Sequence, residues 1–405
     1  MSHLAQPRPT CHVDVLDRVF YSDPHPVYDW LRHERPIFWD EEHDLWVLSR
    51  HADVTYVSTH PELFCSSQGI RPIGSLDLSL AGLDGARHVQ LRRLVSKGFA
   101  PRMIRAMEPR IRQVVSEVLD RIDGRDRCDF LAEVAVPVPL IVIAELMGLA
   151  VDDREKLWRW TDAMMGGEGR TDPDDPKLLA ATEAFAEYVE YINFAIEERR
   201  SGRHTGEDLI SVLVAASDEG VLSTSDAGND ELIMFLVLLV VAGNETTRNA
   251  AAGGMWAFSR FPEQWERLAS SPELLDTLPD EIVRFVSPVI SFCRTATEDA
   301  EVRGQHVRKG EKVLMLYQSA NRDEDVFEDP HALRIDRSPN PHLGFGVGPH
   351  VCLGMNLAKL EIRVLYEELS RRFPDMAVEP GFTPTYEENL LVHGMRSLPV
   401  RLTAS

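Results

Sequence analysis

Residues 229 to 261 read as one long helix, and the first half of that helix has no polar face. From Leu232 to Gly243 the chain runs twelve residues without a charge. That is too short to cross a bilayer. A helix that is apolar all round has to be enclosed by other elements. At 1.5 Å per residue the segment is roughly 50 Å long, so the fold must be built around it. Helical periodicity also covers residues 103–122 and 178–200, and again Leu357 to Arg372, where Pro374 ends it. Only short pieces such as Asp44 to Arg50 and Glu311 to Tyr317 read as strands. The expected class is mainly α with a minor β portion.

Of the 405 residues, 44% are hydrophobic and 27% charged, enough for a substantial core. No linker or internal repeat divides the chain. A single domain over residues 1–405 is expected, with a small β-rich lobe from about 35–65 and 288–340 and a helical lobe from the remainder. The five cysteines are far apart and form no CxxC pair, which points to a reducing compartment rather than a disulfide framework. The first residues carry no apolar leader. A cytoplasmic protein without a membrane span, and a monomer, is expected. A formal charge of −22 disfavours nucleic acid as a partner. One stretch departs from that balance. Between Ala86 and Met107 stand Arg87, Arg92, Arg93, Lys97, Arg102 and Arg105, with no acid. This is either a solvated helix face or a positive patch for an acidic partner or for the carboxylates of a bound cofactor.

The long helix weakens in its middle, at Ala242-Gly243-Asn244-Glu245-Thr246-Thr247. A mid-helix glycine costs about 1 kcal/mol relative to alanine, and polar groups after a buried apolar run need partners. Either the helix reaches solvent here, or Thr246 turns its hydroxyl to the carbonyl four residues back and loosens the turn. The second arrangement opens a groove with room for a diatomic molecule and a water.

A second motif lies near the C-terminus, in HLGFGVGPHVCLGMNLAKLE from His342 to Glu361. Three glycines precede one cysteine, and a helical pattern follows it. Glycines let the backbone turn tightly and approach something flat, and a helix start favours the thiolate form of a nearby cysteine. A lone cysteine is commonly structural, but that leaves the run of glycines unexplained.

The stretch Phe345-Gly346-Val347-Gly348-Pro349-His350-Val351-Cys352-Leu353-Gly354 resembles the heme-binding signature of the cytochrome P-450 family, F-G-x-G-x-H-x-C-x-G, at every fixed position. Residues 242–247 resemble the family's A-G-x-[DE]-T-T. The resemblance implies the cytochrome P-450 fold and a heme b (iron protoporphyrin IX) with Cys352 as metal ligand, where a thiolate favours O–O cleavage. It implies Glu245 and Thr246 as the catalytic acid–alcohol pair that delivers protons to dioxygen, with Ala242 and Gly243 lining the oxygen pocket. It further implies Phe345, Gly346 and Gly354 against the porphyrin, and His88, Arg92, Arg294 and His350 as partners of its carboxylates. Glu281, Arg284 and Arg337 would form a buried structural cluster, although Glu281/Arg284 spacing alone means little. The same i,i+3 pairing recurs at Glu197/Arg200, Glu245/Arg248 and Glu368/Arg371.

In this architecture the substrate pocket falls to Ile70, Ile73, Leu83, Met164, Leu238, Val289, Ile290, Phe292, Leu391 and Val392. All of them are apolar, with Arg71 as the one charge at the rim. The expected reaction inserts one oxygen atom from O2 into a C–H bond of an apolar substrate, using electrons from a ferredoxin and an NAD(P)H-dependent ferredoxin reductase. The chain also resembles actinobacterial hydroxylases of sterol side chains and methyl-branched lipids. Tailoring of a terpenoid or polyketide is the alternative substrate class. A heme-thiolate electron carrier or gas sensor is the alternative of another kind, though neither needs an acid–alcohol pair.

Overall fold

In a computed structural model, the structure describes residues 8–73, 79–96, 98–222 and 230–403. Residues 74–78 of the loop expected to border the pocket, and Lys97 of the basic stretch, lie outside these. In chain order the helices are α1 (His25–Glu34), α2 (His51–Thr59), α3 (Gly85–Ser96), α4 (Pro101–Asp120), α5 (Pro137–Met147), α6 (Arg154–Gly166), α7 (Pro176–Arg200), α8 (Leu209–Asp218), α9 (Asp230–Arg260), α10 (Pro262–Ser270), α11 (Leu278–Val286), α12 (Tyr317–Ala320) and α13 (Met355–Arg372). The strands are β1 (Ile37–Asp40), β2 (Leu45–Leu48), β3 (Phe64–Cys65), β4 (Arg127–Asp129), β5 (Ser291–Ala296), β6 (Ala300–Val302), β7 (Gln305–Val307), β8 (Lys312–Leu316), β9 (Ala377–Val378) and β10 (Pro399–Arg401).

The apolar helix α9 runs through the largest core. Leu232, Phe235, Leu236 and Val240 are buried in its first half, and Ala250, Ala251, Ala252 and Met255 in its second. Two glycines let its neighbours come close. A Cβ on Gly253 would meet Val286 of α11 at 2.6 Å, and one on Gly254 would meet the Tyr366 hydroxyl of α13 at 2.5 Å. That hydroxyl donates to the Ala251 carbonyl (2.7 Å). The small residues of α9 are therefore the surface on which α11 and α13 dock.

The main sheet has the order β1-β2-β8-β5-β3, with β2 and β8 parallel and the other pairs antiparallel. It joins residues near 40 with residues near 300. The positions read as strands around 44–50 and 311–317 become β2 and β8, the adjacent central pair. Every residue of β1 and β2 is buried, so neither strand shows the alternation that would mark it in sequence.

Between helices and sheet lies a buried ionic cluster. Arg284 donates from Nε and Nη2 to the two oxygens of Glu281, both at 2.8 Å, and neither side chain has any exposure. The same guanidinium also donates to the carbonyls of Asn321, Pro330 and Ala332. Arg337 Nε reaches Glu281 Oε2 at 3.0 Å, and Asn340 Nδ2 reaches it at 3.1 Å. Glu281 thereby ties α11 to the segment that leads into the cysteine loop. The identically spaced Glu368 and Arg371 sit on the surface, where Arg371 is 67% exposed. A buried charge that loses its partner is costly, whereas an exposed pair contributes little. In urea denaturation, Arg284→Ala is expected to lose about 3–5 kcal/mol and Arg371→Ala under about 1 kcal/mol. Equal losses for the two variants would contradict this assignment.

Candidate active site

The cysteine loop is shaped by its own backbone. Gly346 N–H donates to the Leu343 carbonyl (2.8 Å), Val351 N–H to that of Gly348 (3.1 Å), and Cys352 N–H to that of Phe345 (2.8 Å). Gly348 has a φ of +78°, and a Cβ there would sit 2.4 Å from the Ser58 carbonyl oxygen of α2. Only glycine allows that turn and that approach together. From outside, the Asn321 side chain accepts from Leu343 N–H (2.6 Å), and the Arg92 guanidinium donates to the Val351 carbonyl.

Cys352 opens into a cavity of about 300 Å³ bounded on the other side by the middle of α9. Its position below the surface pushes the thiol up. The N–H groups of Gly354 and Met355 and the guanidinium of Arg92 pull it the other way. The pull expected of a helix start is present, but burial outweighs it in the free thiol. A site that raises the thiol while presenting donors to its sulfur suits a ligand that removes the proton.

Opposite the sulfur, the Thr246 hydroxyl donates to the Ala242 carbonyl at 2.8 Å. Ala242, Gly243, Glu245 and Thr246 all line the cavity. Glu245 is buried, and its Oε2 meets Arg248 Nη2 at 2.7 Å. Arg248 Nη2 in turn contacts Asp162 of α6 at 3.1 Å. Burial pushes the Glu245 carboxyl up to about 7, against the pull of Arg248, and its Oε1 has no hydrogen-bond partner among the described residues. Glu245 also borders a second, polar cavity with Asp162, Lys177, Arg248, Glu387 and Arg396. It therefore stands between an apolar chamber and a charged one.

His88, Arg92, Arg294 and His350 converge on the same cavity. The rings of His88 and His350 lie 4.2 Å apart. Burial, with His350 and Arg92 nearby, pushes His88 down to about 4, and its buried Nε2 has no hydrogen-bond partner among the described residues. His350 is partly committed, with Ser66 Oγ at 3.2 Å and Asp84 at 3.7 Å. Burial alone would raise the Asp84 carboxyl, but His350 and the N–H groups of Ser66 and Ser67 hold it well below the usual carboxylate range. No carboxylate among the described residues pairs with His88, Arg92 or Arg294, so these three leave donors for an anion that this chain does not supply.

Of the expected substrate-pocket residues, Ile70, Leu238, Val289, Phe292, Leu391 and Val392 line the cavity. Ile73, Leu83, Met164 and Ile290 do not, and these four are corrections. Ile290 lies in the segment just before β5 and is fully buried in the core behind the sheet, where its N–H donates to the Leu391 carbonyl and its own carbonyl accepts from Tyr317 N–H. Ile73 packs against that same core, and Leu83 against the helical one. On α6 the lining residue is Met165, while Met164 packs into the core. One residue is a turn of about 100° on a helix.

Two contributors were not read from the sequence. Asp84, four residues before His88, had a visible signal in that spacing. Glu361 of α13 lines the cavity, its Oε2 has no hydrogen-bond partner among the described residues, and burial pushes it up to about 8. Nothing but the buried face of its helix marked it. Arg71, expected at the rim, lines the cavity itself, and its partner Glu168, 97 positions away, was not legible.

Among the described residues, no helix is long and apolar enough to cross a membrane. A family model described as cytochrome P450 matches residues 264–393. The steroid C26-monooxygenase of Mycolicibacterium smegmatis is 38% identical over 90% of this chain and 88% of its own. The methyl-branched lipid omega-hydroxylase of Mycobacterium tuberculosis is 38% identical over 96% of this chain and 91% of its own. Among solved structures, the Mycobacterium marinum cytochrome P450 CYP268A2 in complex with pseudoionone superposes with a TM-score of 0.88 at 33% identity, covering 98% of this chain and all of that one. The chain belongs to the cytochrome P450 family and is a heme-iron monooxygenase with the fold of that family.

Proposed function

We propose that this monooxygenase hydroxylates an unactivated C–H bond in the side chain of a sterol or steroid, or in a methyl-branched lipid. The observation that carries the reading is one cavity with the Cys352 sulfur on one wall, the Thr246–Ala242 opening on the facing wall and an apolar lining between them. Apolar lining with few polar anchors suits a greasy substrate. The activities named for the two curated relatives support the same class. The ligand of the pseudoionone complex keeps the terpenoid alternative in view.

The residues present fit heme b. Cys352 would hold the iron, while Phe345, Gly346 and Gly354 border the space where the ring would lie. His88, Arg92 and Arg294 would take its carboxylates, with His350 contributing less because Asp84 and Ser66 already engage it. Bound there, the group supplies dioxygen activation through a thiolate-ligated iron. The chain's own part is to place the substrate, limit water and move protons. Thr246 donates its hydroxyl hydrogen to Ala242, which leaves its lone pairs free to accept from a donor behind it. Glu245 is that donor in this reading, drawing protons from the polar cavity beyond α9. A carboxyl near 7 can both hold and release a proton at neutral pH.

Electrons would come from a ferredoxin served by an NAD(P)H-dependent reductase. Arg93, Arg102 and Arg105 are exposed and have no ion-pair partner among the described residues, which suits an acidic partner. Arg87 is instead engaged by Glu231 and the Val221 carbonyl. The five cysteines are all free, which supports the cytoplasm as the working compartment.

The reading is tested first on the substrate and then on proton delivery. Titration of the heme-loaded protein with sterols, methyl-branched fatty acids and terpenoids should give the low-to-high spin shift with the first two classes, and ferredoxin-driven turnover should yield a side-chain alcohol. A shift and product with terpenoids alone would move the assignment to the alternative. Thr246→Ala should uncouple NAD(P)H consumption from product and release peroxide; unchanged coupling removes Thr246 from proton delivery. In the wild-type protein coupling should fall as pH rises through about 7, because the Glu245 carboxyl then loses the proton it passes on. Glu245→Gln should abolish that pH dependence and slow product formation roughly 100-fold or more.

A further inference from the structure

Arg71 is the one cation in the cavity lining whose charge is matched by a carboxylate at hydrogen-bond distance among the described residues, and its position is unusually fixed. The Ile70 carbonyl accepts from Cys293 N–H at 2.9 Å. Lys312 Nζ donates to the carbonyls of Arg71 (3.1 Å) and Pro72 (3.4 Å). The side chain is held as well. Its Nε donates to Glu168 Oε1 at 2.8 Å, in the connection that follows α6, and the guanidinium carbon lies 5.2 Å from the ring centroid of Phe292. Phe292, Ile70 and Met165 line the same cavity. Yet Arg71 Nη1 is buried and has no hydrogen-bond partner among the described residues.

We infer that Arg71 determines substrate specificity: its free Nη1 donates to a neutral carbonyl oxygen, a ketone or ester, on an otherwise apolar substrate. This deepens the hydroxylase reading of the same cavity and rests on it. A buried donor without an acceptor is a cost that an arriving oxygen removes. Electrostatics decides which oxygen. Glu168 already cancels the guanidinium charge, so a second carboxylate would enter a low-dielectric wall beside an anion and be repelled. A carbonyl brings acceptor lone pairs and no charge. The same argument separates Arg71 from the cofactor's carboxylates, for which Arg92 and Arg294 stand unpaired. Phe292 and the three backbone anchors hold the donor still, so a substrate lacking the oxygen leaves it unsatisfied. That is the condition under which a polar site discriminates well.

The test compares cholest-4-en-3-one with the hydrocarbon cholest-4-ene, titrated calorimetrically into the purified heme-loaded protein. The wild type should bind the ketone roughly tenfold or more tightly than the hydrocarbon, and Arg71→Ala should bring the ratio near one with heme content unchanged. Glu168→Gln, which frees the guanidinium charge, should raise affinity for palmitate relative to methyl palmitate at least severalfold. A wild type that does not prefer the ketone, or a preference that survives Arg71→Ala, overturns the inference. So does loss of heme from Arg71→Ala, which would give the guanidinium to the cofactor. Absence of a thiolate-heme spectrum in the wild type would instead count against the hydroxylase reading, and the calorimetric ratio reads independently of it.

Discussion

The arrangement depends on a sulfur aimed into an apolar chamber and held there by main-chain hydrogen bonds. Cys352 does not owe its position to side-chain packing alone. Its N–H is bound to Phe345, the carbonyl beside it is gripped by Arg92, and Gly348 lets the turn press against the Ser58 carbonyl. The Glu281 cluster acts on the same element from behind, because Arg337 and Asn340 precede the loop directly. Hydrogen bonds and the buried ionic cluster are thereby concentrated at the turn that presents the sulfur. A site on which chemistry depends has to be held by its surroundings to within fractions of an ångström.

Across the chamber the opposite principle applies. At Thr246 the hydroxyl shares the Ala242 carbonyl with the helix, so α9 carries polar chemistry through its most apolar stretch. Glu245 has one oxygen bound to Arg248 and one without a hydrogen-bond partner among the described residues, and it stands between an apolar cavity and a charged one. The two walls complement each other. In the proposed reading one wall holds an electron donor and the other moves protons, across a largely apolar lining.

Much of this was legible in the sequence because it is local. The glycine-cysteine loop and the break in α9 each lie within ten consecutive residues, and backbone geometry at that range follows from residue type. The long helices were legible for the same reason. What failed was direction. Ile290 and Met164 belong to the right segments but point away, each one position from a residue that lines the cavity. Long-range pairing was also invisible. Nothing in a sequence joins Arg71 to Glu168, and Glu281/Arg284 looks no different from Glu368/Arg371 until burial separates them. The raised thiol of Cys352 belongs with these failures, because desolvation depends on everything packed around the group.

The claim that Cys352 binds iron as a thiolate is tested most directly by the absorption spectrum of the reduced protein under carbon monoxide, recorded for the wild type and for Cys352→His. The wild type should show the strongly red-shifted Soret band that only a thiolate-ligated heme gives, and the variant should lose it. A histidine-like band in the wild type, or a red-shifted band that survives the substitution, would contradict the account.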